Sequence, residues 1–248
     1  MRAIDRCAQT NRWRHHAAGE KLLFSGGVMA ASLLSAGWTG QLMFLVVMLA
    51  TMRVGARIAW RDILRAARIP FLFITTGTVA QLISVTAVDF VPIVSVVPGE
   101  GIEKALFVAL RSSVCVSALL FLALTTPLSS ILQLFQRIGL SVEISDIAMV
   151  MFRMIWLLLD CLDAGQQSLG ARLGYSSRRR MLRSNGLLLA SLLPRVFDRA
   201  RRMDAGLAAR GYTGRLNFIS VERPASGPRL LLIGAGLIGV SAMTWWLG

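Results

Sequence analysis

The sequence predicts an all-α, polytopic membrane protein with about five transmembrane helices and two long helices on the cytoplasmic side. Three observations predict it. Hydrophobic residues make up 55% of the 248-residue chain and charged residues only 16%, against about 25% charged in ordinary soluble domains. The apolar residues fall in blocks of roughly membrane-spanning length, with the charges between them. The basic residues crowd into alternate connections: residues 1–21 hold five Lys/Arg, 53–68 hold five and 126–229 hold fifteen, whereas 38–41 hold none and 89–104 hold one. Cationic connections stay on the cytoplasmic face, which puts the N-terminus inside and, after five spans, the C-terminus outside.

The elements follow in order. Residues 1–21 are polar and basic, and the first span is Leu22 to Trp38. A basic stretch, an apolar run and Ser35-Ala36-Gly37 imitate a secretory signal. A second apolar run starts at Leu42 after a short turn, however, so a retained membrane hairpin is expected. The second span, Leu42 to Trp60, carries Arg53 and Arg57 at its inner end, and Pro70 opens the third, Phe71 to Val88. The connection Asp89 to Glu103 is acidic and has no arginine. The fourth span, Ala105 to Thr125, ends before Pro127 and contains Arg111, which is expected to face the protein interior or an interface because a lipid-facing arginine is costly. The last, Leu230 to Leu247, finishes on Trp245-Trp246, a pair suited to a headgroup boundary. The chain therefore divides into an N-terminal transmembrane region (1–125), a cytoplasmic region (126–229) and a C-terminal transmembrane helix (230–248).

Several chemistries are set aside. The net charge of +14 is almost wholly arginine, since Lys21 and Lys104 are the only lysines. No basic face with interleaved aromatics and no zinc-finger spacing points to nucleic acid, and anionic lipid headgroups account for much of the arginine. Cys7, Cys115 and Cys161 are scattered and read as structural thiols. His15-His16 reads as interfacial, the eleven methionines as packing, and Gly234-Ala235-Gly236 with Gly239 as helix-packing positions. No Gly-rich Lys-Ser/Thr phosphate loop is present, so the chain is not itself an ATPase. No nucleophile–base pattern can be assembled. Asp160 and Asp163 are expected to answer nearby arginines. A stand-alone channel or secondary transporter, the alternative from another class, calls for broken helices and buried acids near the midplane; the acids here lie at span ends and in the basic region.

Residues 126–229 hold two long helical patterns. The first runs from about Ser145 to Arg172, with Ser141 or Ser145 as N-cap, and is about 40 Å long. The second runs from about Arg183 to Arg210, is interrupted by Pro194, and carries Asp198 and Arg202 at the supportive i,i+4 spacing. Both end alike: Leu169-Gly170-Ala171-Arg172-Leu173-Gly174-Tyr175 and Leu207-Ala208-Ala209-Arg210-Gly211-Tyr212. In each, small residues precede an arginine and a glycine follows it. Gly174 and Gly211 suit the left-handed residue that stops a helix, while the helix dipole favours Arg172 and Arg210 in the last turn. Ala171 and Ala209 leave each tip slender enough to approach another surface.

The second ending, from Arg202 to Tyr212, resembles the signature of the T component of energy-coupling-factor (ECF) transporters. The first resembles that family's companion motif, with Leu173 inserted between arginine and glycine. Ile4-Asp5, Thr10-Asn11-Arg12, Gly19-Glu20-Lys21-Leu22-Leu23 and Leu124-Thr125-Thr126-Pro127 resemble its cobalt and nickel branch, of CbiQ or NikQ type; a vitamin importer's T subunit is the alternative within the family. The resemblance implies a helical membrane fold with two long cytoplasmic coupling helices, in the bacterial inner membrane. It implies a non-catalytic subunit that docks Arg172 and Arg210, flanked by Ala171, Gly174, Ala209 and Gly211, on two ATPase subunits. It further implies a substrate-binding CbiM-like membrane subunit and a small accessory membrane subunit. No cofactor or metal is then expected on this chain: ATP is hydrolysed, and cobalt or nickel carried, by partners.

Overall fold

The computed structural model describes residues 3–88, 91–96, 99–212 and 227–246. In chain order these form α1 (Ala3–Thr10), a 3-10 turn (Arg12–His15), α2 (Ala18–Leu34), α3 (Trp38–Ala50) continued by a π-helical turn (Thr51–Gly55), and α4 (Trp60–Leu82). A hairpin of β1 (Ile83–Val88) and β2 (Val91–Val96) precedes α5 (Gly99–Thr125), α6 (Leu128–Ile138), α7 (Val142–Ala171), α8 (Arg178–Ala209) and α9 (Gly227–Trp246). The chain divides into two compact units, one of Met1–Ile131 with Ser220–Gly248, the other of Leu132–Ile219.

In the first unit α5 is the hub, packed against α1, α2, α3 and α4, while α9 lies on α2 and α3. Its apolar core includes Val28, Phe44, Met48, Met52, Val114 and Phe121. Phe121 takes Phe24 and Trp13 edge-on, with ring centroids 5.5 and 5.7 Å away, the geometry that the aromatic quadrupole favours. Three helical stretches are long and apolar enough to cross a membrane: Trp38–Gly55, Trp60–Leu82 and Gly101–Thr125. The other two expected spans form α2, of 17 residues, and α9, of 20. With exposed Leu, Ile, Val and Phe along these helices, this is a polytopic membrane protein.

The expected hairpin is formed. Between α2 and α3, Gln41 Nε2 donates to the carbonyls of Ser32 at 2.7 Å and Ser35 at 3.2 Å, and the Ser32 hydroxyl donates to Gln41 Oε1 at 2.6 Å. Arg111 serves the same helix end. Its guanidinium donates to the Ser35 carbonyl at 2.6 Å and lies 4.8 Å from the Phe107 ring centroid. This intramembrane arginine is thus turned inward, where a carbonyl and an aromatic face replace water.

Three expectations are corrected. The third span does not begin after Pro70 or reach Val88. Its helix starts at Trp60, carries Pro70 inside and stops at Leu82; the lost N–H of one proline does not halt a helix embedded in other packing. Residues 83–88 and 91–96 are antiparallel strands, with Val88 opposite Val91. The density of β-branched residues (Val85, Thr86, Val88; Val91, Ile93, Val94, Val96) suits a pleated surface better than a helix. Finally, the glycines of α9 are not close-approach positions within this chain: a Cβ on Gly234, Gly236 or Gly239 meets nothing within 4 Å. Asp89, Leu247 and the side chains of Trp245 and Trp246 lie outside the described residues.

Candidate functional site

The two arginine-bearing helix ends lie in the second unit. α7 begins after Ser141, whose backbone is extended as an N-cap requires, although its hydroxyl makes no capping bond. α8 begins five residues before the expected Arg183, at Arg178, because Ser177 caps it: the Ser177 hydroxyl accepts from the Arg180 N–H at 3.4 Å. Pro194 is accommodated inside α8.

Arg172 is the C-cap of α7 (φ −93, ψ 17) and Arg210 the C-cap of α8 (φ −94, ψ 10). The two ends are built alike from there on. After Arg210, Gly211 takes φ +69; its N–H donates to the Ala208 carbonyl and that of Tyr212 to the Leu207 carbonyl, both at 3.1 Å. After Arg172 the left-handed residue is Leu173, at φ +58. The Leu173 N–H donates to the Gly170 carbonyl at 3.1 Å and that of Gly174 to the Leu169 carbonyl at 2.8 Å. Each is the paired-bond ending that satisfies the last carbonyls of a helix.

The expectation for Gly174 is therefore corrected. Leu173, not the glycine, turns the chain out of the helix, so the insertion leaves Arg172 and Arg210 in the same position relative to their helices. Gly174 is needed for a different reason. A Cβ there would stand 2.8 Å from Ser184 Oγ and 2.9 Å from the Leu169 carbonyl oxygen, while the Ser184 hydroxyl donates to the Gly174 carbonyl at 2.9 Å. Arg172, Ala171, Arg210, Ala209 and Gly211 are all exposed. Replacing Leu173 by Gly is expected to stabilise the protein by about 1 kcal/mol, since a left-handed leucine is strained where glycine is not. Gly174→Ala should lower the thermal midpoint instead, because the Leu169 carbonyl is backbone and cannot step aside. Thermal unfolding of both variants checks this, and equal shifts would refute the assignment of roles.

α7 and α8 run antiparallel. Near the α7 C-terminus, Ser184 bonds Gly174 and a Cβ on Gly165 would run into Leu188. At the other end, Leu207 and Tyr212 share a groove with Glu143, Asp146 and Met154. The Arg172 end thus lies beside Ser184, and the helix from Ser184 to Arg210 is roughly 40 Å long at about 1.5 Å per residue. One hairpin carries two arginines, each the C-cap of its helix, at its opposite ends.

A second constellation joins motifs that lie far apart in sequence. α5 ends at Thr125, and Pro127 has no N–H to offer a preceding carbonyl. Asn11 Nδ2 approaches the Leu124 carbonyl at 3.2 Å and the Thr125 carbonyl at 3.3 Å, and Lys21 Nζ donates to the latter at 2.9 Å. Lys21 is only 2% exposed, so its charge rests on the negative end of the α5 dipole. These are the Thr10-Asn11-Arg12, Gly19-Glu20-Lys21 and Leu124-Thr125-Thr126-Pro127 motifs. They meet as one lock on a helix end, which their sequence positions gave no sign of. His16 is placed beside this lock, with Nδ1 3.7 Å from Glu20 and its ring 5.6 Å from that of Trp13. The i,i+4 pair Asp198 and Arg202 is not closed to within 4.0 Å among the described residues.

A family model described as CbiQ, cobalt transport protein, matches residues 10–218. The cobalt transport protein CbiQ of Rhodobacter capsulatus is 36% identical over 231 residues, covering 92% of this chain and 91% of the relative. The CbiQ of Salmonella typhimurium is 25% identical over 222 residues, covering 86% and 98%. A protein of Methanocorpusculum labreanum described as a fused cobalt transport protein, CbiMQ, is 26% identical over 153 residues, 59% of this chain and 26% of the relative.

Proposed function

Since this chain belongs to the CbiQ family of cobalt transport proteins, the non-catalytic membrane coupling component of an ECF importer, we propose that Arg172 and Arg210 are its docking points for two ATPase subunits. The observation that carries this reading is the equivalence of the two helix ends: the same cap position, the same pair of terminal bonds, and a separation of roughly 40 Å along one hairpin. Two like sites so far apart suit two copies of one partner better than two contacts on a single one. Each exposed guanidinium sits at a slender alanine-flanked helix end, and its planar fork matches a carboxylate or a pair of carbonyls on the ATPase. When the ATPases close on each other, both ends of the hairpin move with them.

The hairpin passes this motion to a separate membrane subunit that captures the metal. The fused CbiMQ relative supports a CbiM-like partner, and the family resemblance adds a small accessory membrane subunit beside it. ATP is hydrolysed and cobalt, or nickel, is carried by those partners, and this chain binds no cofactor. It resides in a bacterial inner membrane with five spans, N-terminus inside and C-terminus outside. Residues 1–125 and 230–248 form the membrane-embedded part and 126–229 the cytoplasmic coupling region. Affinity purification of the tagged chain from cells making all subunits should retain ATPase subunits. Its recovery alone, with transport intact, would contradict the reading. A cysteine at position 179 should react with an impermeant reagent only after the membrane is opened from the cytoplasmic side.

A further inference from the structure

Beyond the helix tips, α7 and α8 enclose a groove of about 500 Å³ with an unusual charge balance. Arg153 comes from α7, and Arg199, Arg202 and Arg210 from α8; the carboxylate facing them is Asp160. Among the described residues none of these four guanidiniums is ion-paired. On α7 the groove face is Arg153, Trp156, Leu157 and Asp160, at the i, i+3, i+4, i+7 spacing that lines one side of a helix. On α8 it is Arg199, Arg202, Met203 and Gly206, spaced the same way. Beneath the arginines the walls are apolar: Met154, Leu157, Met203 and Leu207. Four clustered cations repel one another, and one acid does not balance them. A bound anion with an apolar body satisfies both walls at once.

We propose that this groove is a binding site for an anionic phospholipid, its phosphate held by Arg153, Arg199 and Arg202. The first acyl carbons lie on Met154, Leu157, Met203 and Leu207. The membrane is the nearest source of such an amphiphile. α7 carries Ile147, Met151 and Ile155 at 59%, 59% and 48% exposure among the described residues, apolar side chains that favour the bilayer boundary. Trp156 in the groove wall is a residue type that concentrates at headgroup level. An acidic protein segment would match the arginines but has less use for the apolar floor. Arg210 borders both this groove and the ATPase docking proposed above, so the site is tested through Arg153 and Arg199 with Arg210 intact.

The test uses the purified full-length chain in detergent, titrated with dioleoyl phosphatidylglycerol or dioleoyl phosphatidylcholine and read by native mass spectrometry. The wild type should retain phosphatidylglycerol about tenfold more tightly than phosphatidylcholine, the scale of one charge-assisted hydrogen bond. Arg153→Gln with Arg199→Gln should remove the preference; these side chains are exposed, so the fold should tolerate the change. Arg153→Lys with Arg199→Lys should restore part of it, and Arg178→Gln with Arg179→Gln, outside the groove, should keep all of it. Equal retention of the two lipids by the wild type, or a preference that survives R153Q/R199Q, overturns the proposal. So does inorganic phosphate that competes as well as the lipid, which would make this a site for a free anion. Loss of ATPase association in R153Q/R199Q with the lipid preference intact would make it a protein-docking groove.

Discussion

Replacing Arg172 and Arg210 together by alanine is expected to abolish ATPase association and cobalt uptake while the protein still inserts and keeps its thermal midpoint. Each guanidinium makes one charge-assisted contact in this account, worth about 1.5–3 kcal/mol, so each single Arg→Ala change should weaken docking roughly ten- to a hundredfold. The two losses should compound, because the ends are roughly 40 Å apart and share no partner group. Lysine at either position keeps the charge but not the planar fork, so rescue should be partial. The midpoint should hold because both side chains are exposed and the bonds that end each helix are backbone to backbone. Arg179 and Arg180, exposed in the first turn of α8, are the controls. A general attraction to anionic surfaces would make their loss as damaging as that of Arg172 and Arg210, and this outcome would sink the docking assignment.

The opposite pattern is expected at Lys21. Lys21→Ala should lower the thermal midpoint by several degrees and reduce the yield of folded protein, leaving the helix tips untouched. The change strips the buried Thr125 carbonyl of its shortest hydrogen bond; a bond of that charged type is worth about 1.5–3 kcal/mol. Asn11→Ala removes the longer contacts to the same helix end and should cost less, about 1 kcal/mol. Both defects concern α5, the helix on which the first unit is assembled. Purified Lys21→Ala protein that remains folded should therefore still bind ATPase subunits. A midpoint unchanged in both variants would show that the helix-end lock carries no stability.

Span positions were legible because lipid demands long apolar runs. Element ends were less so. Pro70 reads as a helix start in isolation, yet α4 begins at Trp60 and passes through it, since neighbouring helices hold a membrane helix across one missing bond. The strands at 83–88 and 91–96 carried their own signal, a density of β-branched residues, which a search for helical spans passes over. The repeated arginine ending could be found as a pattern. That Leu173 takes the left-handed place could not, because a leucine at φ +58 goes against intrinsic preference and is held by its surroundings. Asn11, Lys21 and Thr125 were visible as separate motifs only. Their meeting bridges more than a hundred positions of chain and depends on how α1, α2 and α5 pack.

The central claim is that one hairpin holds one ATPase at each end. A photo-crosslinking residue placed at position 170, at position 208, or at both, each exposed and two residues before an arginine that is kept, tests it most directly in the assembled complex. Each single replacement should capture one ATPase subunit, and the double replacement should shift the chain by the mass of two. If both positions capture the same subunit, or if position 179 crosslinks as efficiently as either, then Arg172 and Arg210 are not paired docking points.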